Sequence, residues 1–213
     1  PEATLAANPE LKTWEDVIAR PDLFPNPENP ERGALIGCPA GWACQYINQN
    51  LYKAYDMEAK GWDLIDPGSS AGLDALISKA INDGTNIVTY YWAPTAILGK
   101  LPMYMLEPNA THDSDEWASC TSVADCADPK PNAWGFSYVE TVVTENFSNE
   151  ASVAMEYIST RDFDSATMNS LLAWMADNQA TGEEGAIYYL KNNQDDWSDW
   201  VSEAVKDRVL EAL

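Results

Sequence analysis

Residues 34–55, ALIGCPAGWACQYINQNLYKAY, carry the reading on which the fold turns. Ala34-Leu35-Ile36-Gly37 is a short apolar run of the kind that forms a buried strand. It enters a loop, Cys38-Pro39-Ala40-Gly41, after which Trp42 to Tyr55 has a helical pattern. The segments downstream repeat the alternation. Trp62 to Ile65 is a second apolar run, ended by the turn signal Asp66-Pro67-Gly68. Ser69 or Ser70 then caps a helix whose Leu73, Leu76, Ile77, Ala80 and Ile81 share one face, and Asn82-Asp83-Gly84 stops it. Ile87 to Trp92 is rich in strand formers, and Pro94 opens a short helix. Alternating strand and helix predicts an α/β fold, with a parallel or mixed sheet covered by helices.

Upstream, Thr13-Trp14-Glu15-Asp16 has the form of a capped helix start, and Pro25, Pro27 and Pro30 punctuate a loop. Residues 108–131 are irregular and polar, a length of loop that is usually functional in a compact domain. After Trp134 the pattern changes. Tyr138 to Thr144 is one more strand candidate, and the remainder is helical, with one stripe at Met168, Leu171, Leu172, Met175 and Ala176 and another at Trp197, Trp200, Val201, Ala204 and Val205. The predicted division is 1–134 and 135–213.

Composition narrows the partners. Hydrophobic residues make up 46% of the chain, as in ordinary globular proteins. With 34 acidic and 12 basic residues the net charge is −22, which argues against nucleic acid or anionic lipid, whose phosphates need clustered Lys and Arg. Such acidity suits solubility in a salty habitat, where salt screens the self-repulsion. No run approaches the roughly 20 apolar residues that cross a bilayer. The chain starts at Pro1 without a signal-peptide core, as expected of a mature form or a fragment. Cys38 and Cys44, and Cys120 and Cys126, are two pairs with identical spacing. Five intervening residues exceed a CxxC metal or redox motif, and His112 is the only imidazole, so no metal and no cofactor are expected. Two disulfides in an oxidising compartment are the better account; three connectivities are open, of which local closure is the simplest.

A single His, with no GxSxG, P-loop or GxGxxG, removes the commonest enzymatic templates. Paired carboxylates leave a glycosidase-like reading, but Thr181-Gly182-Glu183-Glu184 is better explained as a capping box, with Asp195-Asp196 likewise before the last helix. His112 is expected to be solvated in its polar loop. Trp174, Trp197 and Trp200 fall on helical stripes and are expected in a core. Trp42 and Trp92 differ, because each lies where a predicted strand gives way to a helix, the edge at which α/β sheets bind ligands, and Tyr90 and Tyr91 adjoin the second. Aromatic faces without a basic cluster suit a cation lacking hydrogen-bond donors. Gly41 lets backbone approach closely, and the amides of Ala43 and Cys44 at a helix N-terminus offer an anion site for a carboxylate. Cation cage plus carboxylate cradle describes a zwitterion such as a betaine.

Four segments, GCPAGWACQYINQNLYKAY (37–55), DPGSSAGLDALISKAI (66–81), IVTYYWAPTAILGKLPMYMLE (87–107) and NAWGFSYVETVVTENF (132–147), resemble the glycine betaine/choline-type substrate-binding proteins of ABC importers. The resemblance implies a two-lobed periplasmic-binding-protein fold of type II, a periplasmic or extracellular location, no enzymatic activity, and an ABC permease as partner. It implies Trp42 and Trp92 as walls of an aromatic cage, Ala43 and Cys44 as carboxylate-binding amides, and Cys38–Cys44 as the family disulfide. Trp134 is implied either as a further contact or as hinge packing. Nothing matches the family's first strands and helices of lobe one. By this analogy residues 1–134 are a complete, ligand-binding second lobe, and 135–213 are the strand and helices that return to lobe one. A half-lobe exposes apolar sheet surface, so self-association is expected around Tyr138 to Thr144. The ligand expected is a quaternary-ammonium osmolyte: glycine betaine, proline betaine or choline. Trimethylamine oxide or a sulfonium osmolyte is the alternative, and a secreted carbohydrate-active enzyme the more distant one.

Overall fold

A computed structural model describes all residues, 1–213. Its sheet has four strands: β1 (Pro25–Asn26), β2 (Asn29–Ile36), β3 (Trp62–Ile65) and β4 (Val88–Thr89). β2 is central. β3 runs parallel along one edge, from Gly33 opposite Trp62 to Ile36 opposite Ile65. The other edge is shared by β1, antiparallel at the Gly33 end, and β4, parallel at Leu35 and Ile36. β2 is exposed at its polar start and buried from Gly33 onward, as a strand covered on both faces must be.

The chain divides into two compact units, Pro1–Trp92 with Leu101–Phe136, and Ala93–Lys100 with Ser137–Leu213. The first contains the sheet and helices α1 (Glu2–Ala7), α2 (Trp14–Ile18), α3 (Ala43–Ala54) and α4 (Ser70–Asp83). Thr13 and Asp16 make the reciprocal capping box of α2. Ser69 Oγ accepts the Gly72 amide at 3.0 Å to start α4, which buries Leu73, Ile77 and Ala80 and stops at the left-handed Gly84. The core centres on Trp62, which is fully buried with Val17, Phe24, Met57 and Val88 around it.

Helix α5 (Ala96–Lys100) belongs to the second unit, where it packs on α9 (Ser165–Asn178). Between them in sequence lie α6 (Ser114–Glu116) and a π-helical turn, Trp117–Thr121, both in the first unit, and then α7 (Glu145–Glu150) and α8 (Ser152–Thr160) in the second. α10 (Gly182–Asn192), α11 (Gln194–Trp197) and α12 (Glu203–Ala212) complete the second unit, whose core holds Tyr189, Trp197 and Trp200.

Three expectations change. The strand read over Ile87 to Trp92 keeps only Val88–Thr89 in the ladder, because β2 ends at Ile36 and offers nothing beyond its carbonyl, which accepts the Tyr90 amide. Tyr138 to Thr144 has strand-forming residues but no partner strand, and it is irregular. The helix read through Trp197 to Val205 is broken by a 3-10 turn at Ser198–Trp200 and an extended Val201, so Asp195-Asp196 start the separate α11. Trp197 Nε1–H bonds the Leu190 carbonyl, and Trp200 packs on Phe163 and Tyr189. Those tertiary contacts outweigh local helix propensity.

Candidate ligand-binding site

The C-terminal ends of β2 and β4 open toward the loop that closes on α3. Gly41 adopts φ +85°, a left-handed conformation that residues with a Cβ rarely take, and there the chain reverses into the helix. Cys38 and Cys44 are disulfide-bonded across this loop, with their Cα atoms 5.7 Å apart. Cys120 and Cys126 are bonded likewise, at 5.3 Å. In the first loop the Ala40 amide reaches Asp66 Oδ1, the Gly41 amide donates to Gln45 Oε1 at 2.9 Å, and the Trp42 amide donates to the Pro39 carbonyl. The Ala43 and Cys44 amides, in the first turn of α3, make no hydrogen bond within the chain, and Trp42 at the N-cap supplies no side-chain cap. They are the two donors left over at the positive end of a 12-residue helix.

The aromatic residues singled out in the sequence meet here. Trp42 and Trp92 are edge-to-face with centroids 5.4 Å apart. Tyr91 stacks on Trp92 at 4.6 Å, and its hydroxyl donates to Asp74 Oδ1 on α4 at 2.5 Å. Tyr90 lies 6.3 Å from Trp92 and 5.3 Å from Trp134, joining the two tryptophans into one surface. Burial pushes the Tyr90 hydroxyl above its ordinary range. Trp42 and Trp134 remain 40% and 44% exposed. The chain's own cation–π contact, Arg161 over Tyr157, lies in the second unit and occupies none of these rings.

One geometric expectation changes. A cation held between two ring faces separates their centroids by roughly twice a contact distance of up to about 6 Å. Trp42 and Trp92 touch each other, so they present a joint surface instead of two opposed walls. A small cavity of about 80 Å3 nearby, lined by Gly37, Cys38, Asn48 and Asp66 among others, is far below the roughly 300 Å3 of an ordinary ligand pocket.

Trp117 escaped the sequence reading, and the packing of His112 was not foreseen. Trp117 packs on Trp134 at 5.0 Å, and His112 packs on Trp117 at 5.3 Å. His112, expected to be merely solvated, is exposed, yet its Nδ1 sits 2.8 Å from the Ala133 carbonyl. No local periodicity marks either residue, since the path of 108–134 is set by contacts distant in sequence. Elsewhere the Glu183-Glu184 doublet is a cap: Glu184 Oε2 accepts the Thr181 amide at 2.8 Å, and Thr181 Oγ1 accepts the Glu184 amide.

Comparison with known proteins adds identity to this geometry. A family model described as the substrate-binding domain of ABC-type glycine betaine transport systems matches residues 1–192. Among solved structures, the chain is similar to an ABC-transporter choline-binding protein in an unliganded semi-closed conformation, with 18% identity and a TM-score of 0.51. That match covers 92% of this chain and 60% of the other, so the chain spans less than two thirds of that protein's length. At this identity the likeness gives the fold alone: α/β, as in a two-lobed ABC substrate-binding protein. No curated protein matches the sequence.

Proposed function

The chain belongs to the family of substrate-binding domains of ABC-type glycine betaine transport systems, and from that premise we propose that it captures a quaternary-ammonium osmolyte for an ABC permease. The family is one of transport binding domains, not of enzymes. The observation that carries the reading is the continuous aromatic surface of Trp42, Trp92, Tyr91, Tyr90 and Trp134, set beside the undonated amides of Ala43 and Cys44. The trimethylammonium group of glycine betaine, proline betaine or choline has no N–H to donate, so it is recognised by ring faces, each worth about 0.5–2 kcal/mol. A betaine carboxylate then accepts from the two helix amides. The choice of zwitterion over choline rests on those amides. Residues 1–134 act as the ligand-bearing lobe and 135–213 as the return to the other.

Two disulfides fit delivery in an oxidising, periplasmic or extracellular space, and no helix is long and apolar enough to cross a membrane. Isothermal calorimetry of the chain with glycine betaine, choline, trimethylamine oxide and an oligosaccharide tests the assignment. The expected result is saturable binding of glycine betaine, tighter than that of trimethylamine oxide, and none of the sugar. Tighter binding of trimethylamine oxide would remove the role given to the amides of Ala43 and Cys44.

Self-association is part of the same reading. Phe136, Tyr138, Val139 and Val142 are 86–97% exposed along one irregular segment, on both parities of an extended chain. Such a segment pairs with a second copy when it finds one. Sedimentation velocity is expected to show concentration-dependent dimers that disappear in Tyr138→Lys. A species that stays monomeric at every concentration rejects this.

A further inference from the structure

We propose that Trp117 is a positioning residue for the Trp134 face of the site. The proposal rests on the reading that Trp134 faces a quaternary ammonium. The Trp134 indole is 44% exposed, and what the chain supplies to orient it is packing against neighbouring rings. Two rings supply that packing: Tyr90 on one side at 5.3 Å, and Trp117 at 5.0 Å with planes 66° apart. Tyr90 reaches Trp134 from the end of β4, whereas Trp117 comes from the π-helical turn that leads into the Cys120–Cys126 disulfide loop.

The loop is built to hold Trp117 there. Asn132, 3% exposed, accepts the amides of Asp113 and Ala133 and donates to the Asp113 carbonyl and Thr121 Oγ1. It therefore ties the residues just before Trp134 to Asp113, the N-cap of α6, and to Thr121 at the end of the turn that starts with Trp117. Asn50 of α3, 2% exposed, donates to the carbonyls of Cys120, Thr121 and Val123, and fixes the same turn to the first unit's core. Behind Trp117 lies His112, 5.3 Å from its ring. The His112 Nδ1 sits 2.8 Å from the Ala133 carbonyl, and its imidazole lies so close to Gly135 that a Cβ there would come within 3.0 Å. Both chain neighbours of Trp134 thus touch the residue that backs Trp117. The turn itself is π-helical, a rare form that recurs at functional sites.

Without Trp117 only Tyr90 packs on the Trp134 indole, which can then sample up to about three χ1 wells and two χ2 orientations, of which one presents its face correctly. Apparent affinity falls by the fraction of time spent in the competent state, so the expected loss in Trp117→Ala is roughly three- to sixfold. It is smaller than the loss in Trp134→Ala, and the double variant binds no more weakly than Trp134→Ala alone, because a ring that is gone cannot be misplaced.

The test combines calorimetry with glycine betaine and 19F NMR of the protein labelled with 5-fluorotryptophan. In Trp117→Ala the Trp134 resonance is expected to shift and broaden while the Trp42 resonance stays in place, with Trp117→Phe restoring both position and affinity. A circular-dichroism melt shows that the variants fold, and Trp117→Phe preserves the packing if Trp117→Ala does not. Additive losses in the double variant would make Trp117 a ligand contact in its own right and overturn the positioning role, as would unchanged affinity in Trp117→Ala. If the parent protein binds neither glycine betaine nor choline, the function proposed above falls by itself. The Trp134 resonance then still decides, since an unmoved signal in Trp117→Ala overturns the proposal.

Discussion

Replacing Trp92 with alanine weakens glycine betaine binding by tenfold or more, the largest loss expected of any single aromatic residue in the site. Trp92 touches three other rings, Trp42 at 5.4 Å, Tyr91 at 4.6 Å and Tyr90 at 6.3 Å. Its removal deletes one cation–π face and unseats its neighbours. A face is worth about 0.5–2 kcal/mol, and tenfold corresponds to about 1.4 kcal/mol. The titration needs a ligand range wide enough to read millimolar constants, which correspond to about −4 kcal/mol. Two controls give the result its meaning. The carbon isostere of glycine betaine, 3,3-dimethylbutanoate, which keeps the shape and the carboxylate but lacks the ammonium charge, is expected to bind weakly to the parent and to lose little in Trp92→Ala. Trp197→Ala removes a ring 2% exposed in the second unit's core, so it lowers the melting temperature and leaves the affinity of folded protein unchanged. Equal glycine betaine affinity in the parent and in Trp92→Ala would remove Trp92 from the site.

The position of Trp92 was legible in the sequence, whereas its partners were only partly so. β2, the Gly41 turn and α3 follow from an apolar run, a glycine and a helical pattern that are contiguous in the chain. α4 is equally local, with Ser69 at one end and Gly84 at the other. The segments that misled depend on distant partners. Val139, Val142 and Val143 have the stiff side chains that favour strands, but a strand exists only where another backbone completes its ladder, and none does here. β4 is short for the same reason. Trp117 could not be placed at all, because its turn is held by Asn50, some 70 residues away in sequence. A lone indole in a polar loop carries no periodic signal. The Trp42–Trp92 contact was hidden for a different reason: strand ends identify an edge, but they do not say whether two rings on it stand apart or touch.

Trp62→Ala is the substitution expected to cost the most stability, about 4 kcal/mol or more. Trp62 is fully buried at the start of β3, opposite Gly33 of β2, and its ring lies 5.8 Å from Phe24. Truncating a buried Trp or Phe to alanine costs roughly 3–5 kcal/mol through lost transfer energy and the cavity left behind. Here a second loss is added. The indole Nε1–H donates to the Ile18 carbonyl at 2.9 Å, a bond that joins β3 to the end of α2. Alanine leaves that buried carbonyl unpaired, which adds about 1 kcal/mol or more. The Trp62 carbonyl keeps its own partners, the Tyr52 hydroxyl and the Arg32 guanidinium, because they bind backbone. Trp62→Phe separates the two terms, since it keeps most of the packing and gives up only the hydrogen bond, so it is expected to cost about 1–2 kcal/mol. Urea denaturation of the two variants, followed by far-UV circular dichroism, measures both. Set against a usual stability of about 5–15 kcal/mol, the alanine variant sits at the edge of folding. A cost below about 2 kcal/mol in Trp62→Ala would mean that this indole is not the centre of the first unit's core.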